Sequence, residues 1–500
     1  MQKVLLINPR ACSRKSMRLP LSLLALGAAL EGRYAYQILD GNVDSDLERT
    51  ALDALARQET ALVGITVMPG PQVAPAIQIA SAIRTAYPAV PIVWGGYFPT
   101  LYPEAALNAP YVDFVVRGQG EETLCELLER LPARDAGTLK AIRGLTWKDG
   151  DRIIHNPERP LRSPNDFPPY PYERLGDVTP YLRPSFLGSR TAVHQAAVGC
   201  RYHCRFCGVA SMFDGHTLLS TPARLEAAIM TLRDGYGANA VQFYDHNFFD
   251  REATSVPLLE VLARIQMPWW CYARADTMAK FSASTWDLIR RSWLRMAYIG
   301  AESASDAALA RMKKGTKVEH TFEVAHRCRE AGVVPEFSFI LGGPEDPEGE
   351  IEKTFALIKR LKRIHPECEV ILYFYSPTPQ RDPQAGVERR DLPLLQSYGP
   401  SGPDLPTTLE EWTQPQWIAY VCHQDAPWLS PRMRGRVRDF ARVLACRFPT
   451  TQDVRTPGWA KAVLREMARW RYACGRYENP WELNLLRRCI PLREPQKESL

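Results

Sequence analysis

Three cysteines, Cys200, Cys204 and Cys207, stand in the run CRYHCRFCG, separated by three and then two residues. A structural zinc site closes with four protein ligands, and three thiolates fall one short. They suit three corners of a cubane 4Fe–4S cluster, whose fourth iron keeps an open position for the amine and carboxylate of a ligand. His203, between the first two cysteines, could complete a zinc site instead. Zinc motifs usually pair two short ligand clusters, however, and no second Cys/His pair stands nearby.

The elements around this run must place it. From about 190 to 380, six apolar runs alternate with amphipathic segments: TAVHQAAVG, AVQFYDHNFF, WWCYAR, RMAYIGAE, PEFSFILGG and VILYFYSP. Six βα units of this length predict a full or partial (β/α) barrel, with its site at the carboxyl ends of the strands. The cysteines follow the first strand, where such a site begins. Upstream, VLLIN, YQILD, LVGITV, PIVWGG and DFVVRG alternate with helical stretches. Continuous apolar strands between helices predict a parallel sheet covered on both faces, a Rossmann-like domain over 1–140. Residues 141–189 then read as a hairpin around Asp149-Gly150 followed by a proline-rich linker. The barrel is expected over 190–385 and a mainly helical region over 386–500. Six of the twelve tryptophans lie in that last region beside Arg-rich segments. The plain expectation is a helical appendage packed by its aromatics with a solvated basic face; the sharper one is a lid for an acidic substrate. The fold class is α/β, without internal repeats.

Composition narrows the setting. The chain has 500 residues, 45% of them hydrophobic, and a formal net charge of +6. No basic run with interleaved aromatics resembles a base-stacking platform, so no nucleic acid is expected. The twelve cysteines lack the dense, even pattern of a secreted disulfide scaffold, which points to a reducing compartment. RKSMRLPLSLLALGAALEG imitates a signal peptide, but KVLLINPR before it reads as a buried strand. No run is long enough to span a bilayer, and a cytoplasmic location is expected.

CRYHCRFCG resembles the CxxxCxxC signature of the radical S-adenosylmethionine (SAM) superfamily, including Phe206 before the last cysteine and the glycine after it. The resemblance implies that Cys200, Cys204 and Cys207 hold a 4Fe–4S cluster whose open iron chelates SAM. In that family the reduced cluster cleaves the sulfonium to a 5′-deoxyadenosyl radical, which abstracts a substrate hydrogen. It further implies a SAM site from Phe206; from Asp245 and Asn247 in FYDHNFF, towards the amino group; from Arg274 in CYARAD, for the carboxylate; from Glu302 in IGAES, for the ribose hydroxyls; and from Ile340 in FILGGPE, beside adenine. A fully developed Gly-Gly-Glu motif is absent.

The stretch VWGGYFPTLYPEAALNAPYVDFVVRGQGEETLCELL is similar to the cobalamin-binding domain of class B radical SAM enzymes, with Gln119 in place of the usual first glutamate. The Asp-x-His-x-x-Gly motif that supplies an axial histidine elsewhere is missing from residues 1–140, so cobalamin is expected without a histidine on cobalt. Candidate contacts are Thr66, Gly95, Gly96 and Tyr97. The family's commonest reaction is methylation of an unactivated carbon, here of a small molecule, with an external electron donor such as flavodoxin or ferredoxin. The alternative is a cyclase of the anaerobic magnesium-protoporphyrin ester type; a non-catalytic metal- or cobalamin-binding protein is more remote. The sequence singles out no catalytic acid or base.

Overall fold

The computed structural model describes residues 3–492 apart from 134, 344, 377, 379–404, 427–428 and 491. Seven strands form the first sheet: β1 (Lys3–Asn8), β2 (Ala35–Asp40), β3 (Thr60–Thr66), β4 (Ile92–Gly95), β5 (Phe114–Val116), β6 (Leu145–Asp149) and β7 (Arg152–His155). Their order is β2-β1-β3-β4-β5-β6-β7, parallel from β2 to β5. Strand β1, flanked by β2 and β3, shows why its sequence is continuously apolar. Val4 and Leu6 enter the core on one face, and Leu5 and Ile7 enter a separate core on the other.

The β6–β7 hairpin pairs antiparallel with β5 and extends this sheet, whereas the sequence reading set it apart with the linker. Its inward residues Leu145 and Trp147 are as buried as any in the domain. Asn156 fastens it: its amide donates to the Leu139 (2.7 Å) and Ile142 (2.6 Å) carbonyls, and its oxygen accepts from Trp147 Nε1.

The second sheet holds β8 (Thr191–His194), β11 (Ala240–Phe243), β12 (Trp269–Arg274), β13 (Leu294–Glu302), β14 (Val334–Leu341) and β15 (Glu369–Phe374), all parallel, in the order β15-β14-β13-β12-β11-β8. No pairing joins β15 to β8, so the barrel is partial. The run expected as one first strand, TAVHQAAVG, divides. β8 stays in the barrel, while β9 (Ala197–Gly199) leaves it to pair antiparallel with β10 (Thr217–Leu219). At the division the Asp245 carboxylate accepts the Ala197 N–H. Gly199 completes the departure at φ 80°, where a Cβ would collide with the His216 carbonyl.

The C-terminal region is two clasps rather than one appendage. Residues 450–452 close the amino end of the barrel. There Glu369 accepts from Thr450 Oγ1 (2.9 Å) and Thr451 N (2.8 Å), and Glu336 accepts from Gln452 Nε2 (2.6 Å) and Trp270 Nε1 (2.8 Å). The other clasp returns to the first domain. Trp412 is buried there, 4.3 Å from Tyr102 and 5.6 Å from Phe98 between ring centroids, and Tyr111 Oη donates to Glu410 (3.0 Å). Aromatic packing thus holds for Trp412 and Trp417 but not for Trp459, Trp470 and Trp481, which are exposed. The expected boundary near 385 and Trp428 lie outside the described residues.

Two outcomes follow from this architecture. Trp412→Ala empties an aromatic cluster and should lower stability by about 3–5 kcal/mol, seen as an earlier first transition in thermal unfolding; an unchanged transition would refute the clasp. Burial pushes the Asp245 carboxyl up from 3.8 to about 7. A carboxyl that binds its proton more tightly folded than unfolded contributes stability that is whole below pH 3.8 and is lost as pH rises towards about 7. Asp245→Asn keeps an acceptor for Ala197 without the charge, so its Tm should gain on the wild type as pH rises from about 4 to 8. A constant Tm difference over that range would count against a charge held there.

Candidate active site

The cysteine loop is fixed from several sides. Arg201 N donates to Thr217 Oγ1 (2.9 Å), Arg205 N to the Met312 carbonyl (2.9 Å), and Cys207 N back to the Cys204 carbonyl (3.1 Å). Arg201 pairs with Asp250 at 2.9 Å. The loop presents Cys200, Cys204 and Cys207 to one cavity at the carboxyl ends of the barrel strands. His203 is exposed and packs its ring on Gly215, away from that cavity. Three sulfurs on one wall, with the histidine turned out, fit a cubane better than a tetrahedral ion. Burial pushes the Cys207 thiol up to about 12 and raises Cys200 as well, so binding a cluster must displace protons.

Four of the expected SAM residues line the same cavity: Phe206, Arg274, Glu302 and Ile340. Arg274 ends β12 and is buried. Its Nε donates to Asp276 (3.0 Å), its Nη1 to Cys204 Sγ (3.3 Å) and its Nη2 to the Lys314 carbonyl, while its guanidinium lies 3.5 Å from the Tyr202 ring centroid. Glu302 ends β13 at φ 63°, a left-handed conformation that costs about 1–3 kcal/mol for such a residue. Lys314 Nζ donates to its Oε1 (2.6 Å) and Ser338 Oγ to its Oε2 (3.3 Å). Gly300 lies beneath this pair, where any Cβ would strike both charged groups.

Asp245 and Asn247 are fully buried and do not line the cavity. Asp245 holds the Ala197 amide, and Asn247 donates to the Phe249 carbonyl (3.1 Å). The residue between them, His246, faces the cavity, kept neutral by burial that lowers its pKa to about 4. Sequence reasoning also missed Tyr272, Tyr298, Ser338, Lys314 and His423. The first three sit two or four residues before an identified neighbour on the same strand, so period-two alternation could have found them. Lys314 and His423 come from loops and left no such signal.

A second cavity lies at the carboxyl ends of β3, β4 and β5, against the barrel's first loop. Thr66, Gly95, Gly96, Gly118 and Glu121 line it from the first domain, and Val198, Met212 and Phe213 from the other side. Gly96 (φ 98°) and Gly118 (φ 67°) let the backbone form a floor that side chains would obstruct. The lining is mostly apolar, as suits the face of a corrin. Tyr97 departs from its expected place here. Gly96 turns the chain into the helix Tyr97–Leu101, and Tyr97 meets Gly208 beside Cys207, lining the cysteine cavity instead.

Comparison with known proteins agrees with this division. Residues 13–128 match the B12-binding domain and residues 195–358 the radical SAM superfamily. The chain is 26% identical over 345 residues to an uncharacterised methyltransferase of Pyrococcus horikoshii, covering 68% of this chain and 73% of that one. It is 26% identical over 256 residues to the anaerobic magnesium-protoporphyrin IX monomethyl ester cyclase of Synechocystis, of which it spans 50% with 50% of its own length. Among solved structures, the radical SAM methyltransferase TsrM of Kitasatospora setae, with cobalamin and a 4Fe–4S cluster bound, superposes with a TM-score of 0.64 at 17% identity over 98% of this chain and 100% of that one, a likeness of fold. The chain thus joins a B12-binding domain to a radical SAM domain, with a cavity in each, the make-up of cobalamin-dependent radical SAM proteins, and the cofactors these domains imply are a 4Fe–4S cluster, SAM and cobalamin.

Proposed function

We propose that the chain is a methyltransferase acting on an unactivated carbon of a small molecule. The observation that carries this reading is the partition between the two cavities. Cys207 and Val209 line one, Met212 and Phe213 line the other, and the helix Val209–Phe213 runs between them. A methyl carrier in one cavity and a radical source in the other would therefore be separated by one short helix, with the substrate between.

When bound, the cluster and SAM supply a hydrogen-abstracting radical and cobalamin supplies the methyl group. The chain's own residues bind, orient and exclude water. Cys200, Cys204 and Cys207 would hold the cluster; Glu302 would accept from the ribose hydroxyls beside its bonds from Lys314 and Ser338; Arg274 would offer a guanidinium N–H not used by Asp276, Cys204 or the Lys314 carbonyl to the SAM carboxylate; Phe206 and Ile340 would flank the cofactor. Thr66, Gly95 and Gly96 would form the corrin floor. Tyr272, Tyr298 and Tyr373 line the barrel side of the cavity. An external donor such as flavodoxin or ferredoxin supplies electrons. The 26% identity to the cyclase gives ring formation a place as the second reading.

Anaerobically reconstituted protein with cobalamin, SAM and a strong reductant should yield both 5′-deoxyadenosine and S-adenosylhomocysteine by mass spectrometry. Deoxyadenosine alone would favour the cyclase reading, and a protein that takes up no iron or sulfide would defeat both. Replacing Cys200, Cys204 and Cys207 by alanine should abolish cluster uptake and both products. Glu302→Gln should leave iron content unchanged and weaken SAM binding about tenfold in equilibrium dialysis, the loss of one charge-assisted hydrogen-bond acceptor. Equal affinity would remove Glu302 from the ribose.

A further inference from the structure

Nine large apolar side chains are exposed among the described residues, and seven of them fall between positions 454 and 485. On the helix Gly458–Cys474, Trp459, Val463, Met467 and Trp470 recur at i, i+4, i+8 and i+11. At about 100° per residue they share one arc of roughly 80°. This is not the helix's packing face. Ala460, Leu464, Ala468 and Arg471 already turn inward. Arg471 braces the following turn through Glu482 and the Arg476, Glu478 and Asn479 carbonyls, and the next helix, Trp481–Cys489, exposes Trp481 and Leu485 one turn apart. The three tryptophans are 69%, 48% and 64% exposed. A soluble surface seldom carries such a patch without an occupant.

Charge selects the occupant. Residues 454–490 contain eight Arg or Lys against three Glu, a net of +5 within a chain of +6. Arg455, Arg476 and Arg488 are exposed, and Arg488 flanks Trp481 and Leu485 on its helix; Arg465 and Arg469 are exposed on the other side of the helix Gly458–Cys474, where Glu466 is the charge nearest the stripe. A second copy docking by the same face would set +5 against +5, which opposes a two-fold dimer. An anionic surface is complementary instead. Tryptophans beside arginines on a helix lying along a surface match the pattern of interfacial helices, whose apolar face enters the headgroup boundary while the basic rim meets anionic lipid. No described helix is long and apolar enough to cross a membrane, so the contact is peripheral. The helix Gly458–Cys474 follows residues 450–452, which sit at the amino end of the barrel, opposite the cysteine cavity, and its Lys461 donates to the Asp453 carbonyl.

We propose that the face carrying Trp459, Val463, Met467, Trp470, Trp481 and Leu485 docks on an anionic lipid surface. The test is flotation of the full chain with vesicles of phosphatidylcholine alone or with about one third phosphatidylglycerol, with the mass in solution measured by light scattering. The wild type should float with the anionic vesicles at least about tenfold more than with the neutral ones, and high salt should release it. The W459S/W470S/W481S variant should lose about tenfold in binding with an unchanged Tm, and Arg455→Glu with Arg488→Glu should lose the preference for anionic lipid. Three results would overturn the proposal: no binding to anionic vesicles; binding that the variants do not change; or a lipid-free dimer that the tryptophan variant dissociates, which would make a second copy the occupant. A monomer that ignores vesicles would leave an acidic protein surface as the better partner.

Discussion

The neighbourhood of the cysteines depends on one buried carboxylate. Asp245, two residues past β11, takes the amide of Ala197 where the chain has left β8 and begins β9. That bond fixes the start of the strand that pairs with β10 and turns at Gly199 into the loop that carries Cys200, Cys204 and Cys207. The carboxylate is desolvated to make this bond, and its raised pKa expresses the cost. A polar group buried without touching the cavity can therefore shape the site as firmly as one that lines it.

The same region is crowded enough that glycine decides what can approach what. Gly208 admits Tyr97 next to Cys207, so that a residue of the first domain touches the cysteine loop of the second. Gly300 leaves space for Glu302 and Lys314, a buried pair that is costly to desolvate and whose acid sits in a strained backbone conformation. Strain, a paired buried charge and a missing Cβ coincide at one strand end. That coincidence is characteristic of a binding position rather than of packing, since packing alone would favour an apolar residue in an ordinary conformation.

Much of this was legible beforehand. The strand-and-helix alternation revealed both sheets because parallel strands buried on two faces must be apolar throughout, and the cysteine spacing revealed the chemistry because few arrangements use three thiols. What failed was register and reach. A single apolar run, TAVHQAAVG, concealed a change of sheet, because its new partner β10 and the carboxylate of Asp245 that holds Ala197 are both distant in sequence. The polar residues Asp245 and Asn247 were more visible than His246, yet alternation turns both away from the cavity and His246 towards it. Tyr97 followed its glycine neighbours in sequence but not in space, because a left-handed Gly96 redirects the chain. The hairpin was legible as a hairpin and β5 as a strand, while their pairing was not, since nothing local specifies an edge.

The C-terminal region shows how far sequence distance can mislead about the site. The segment that places Trp412 in the first domain continues through the helix Pro415–Val421 to His423, which lines the cysteine cavity. His423 adopts φ 52°, its carbonyl accepts from Phe374 N (3.0 Å) at the end of β15, and Ser376 Oγ donates to the Tyr420 carbonyl (2.8 Å). Burial lowers its imidazole to about 4, so at neutral pH it offers the cavity a neutral ring. The segment therefore walls the side of the partial barrel where β15 lacks a neighbour and links that wall to the cobalamin-binding domain. A shift between the two domains would move Tyr97 with the first domain, whereas His423 is tied to the end of β15. The open edge of the six-stranded barrel is thus closed from outside the barrel, and Thr378 Oγ1, which donates to the Phe206 carbonyl (3.2 Å), ties that edge to the cysteine loop.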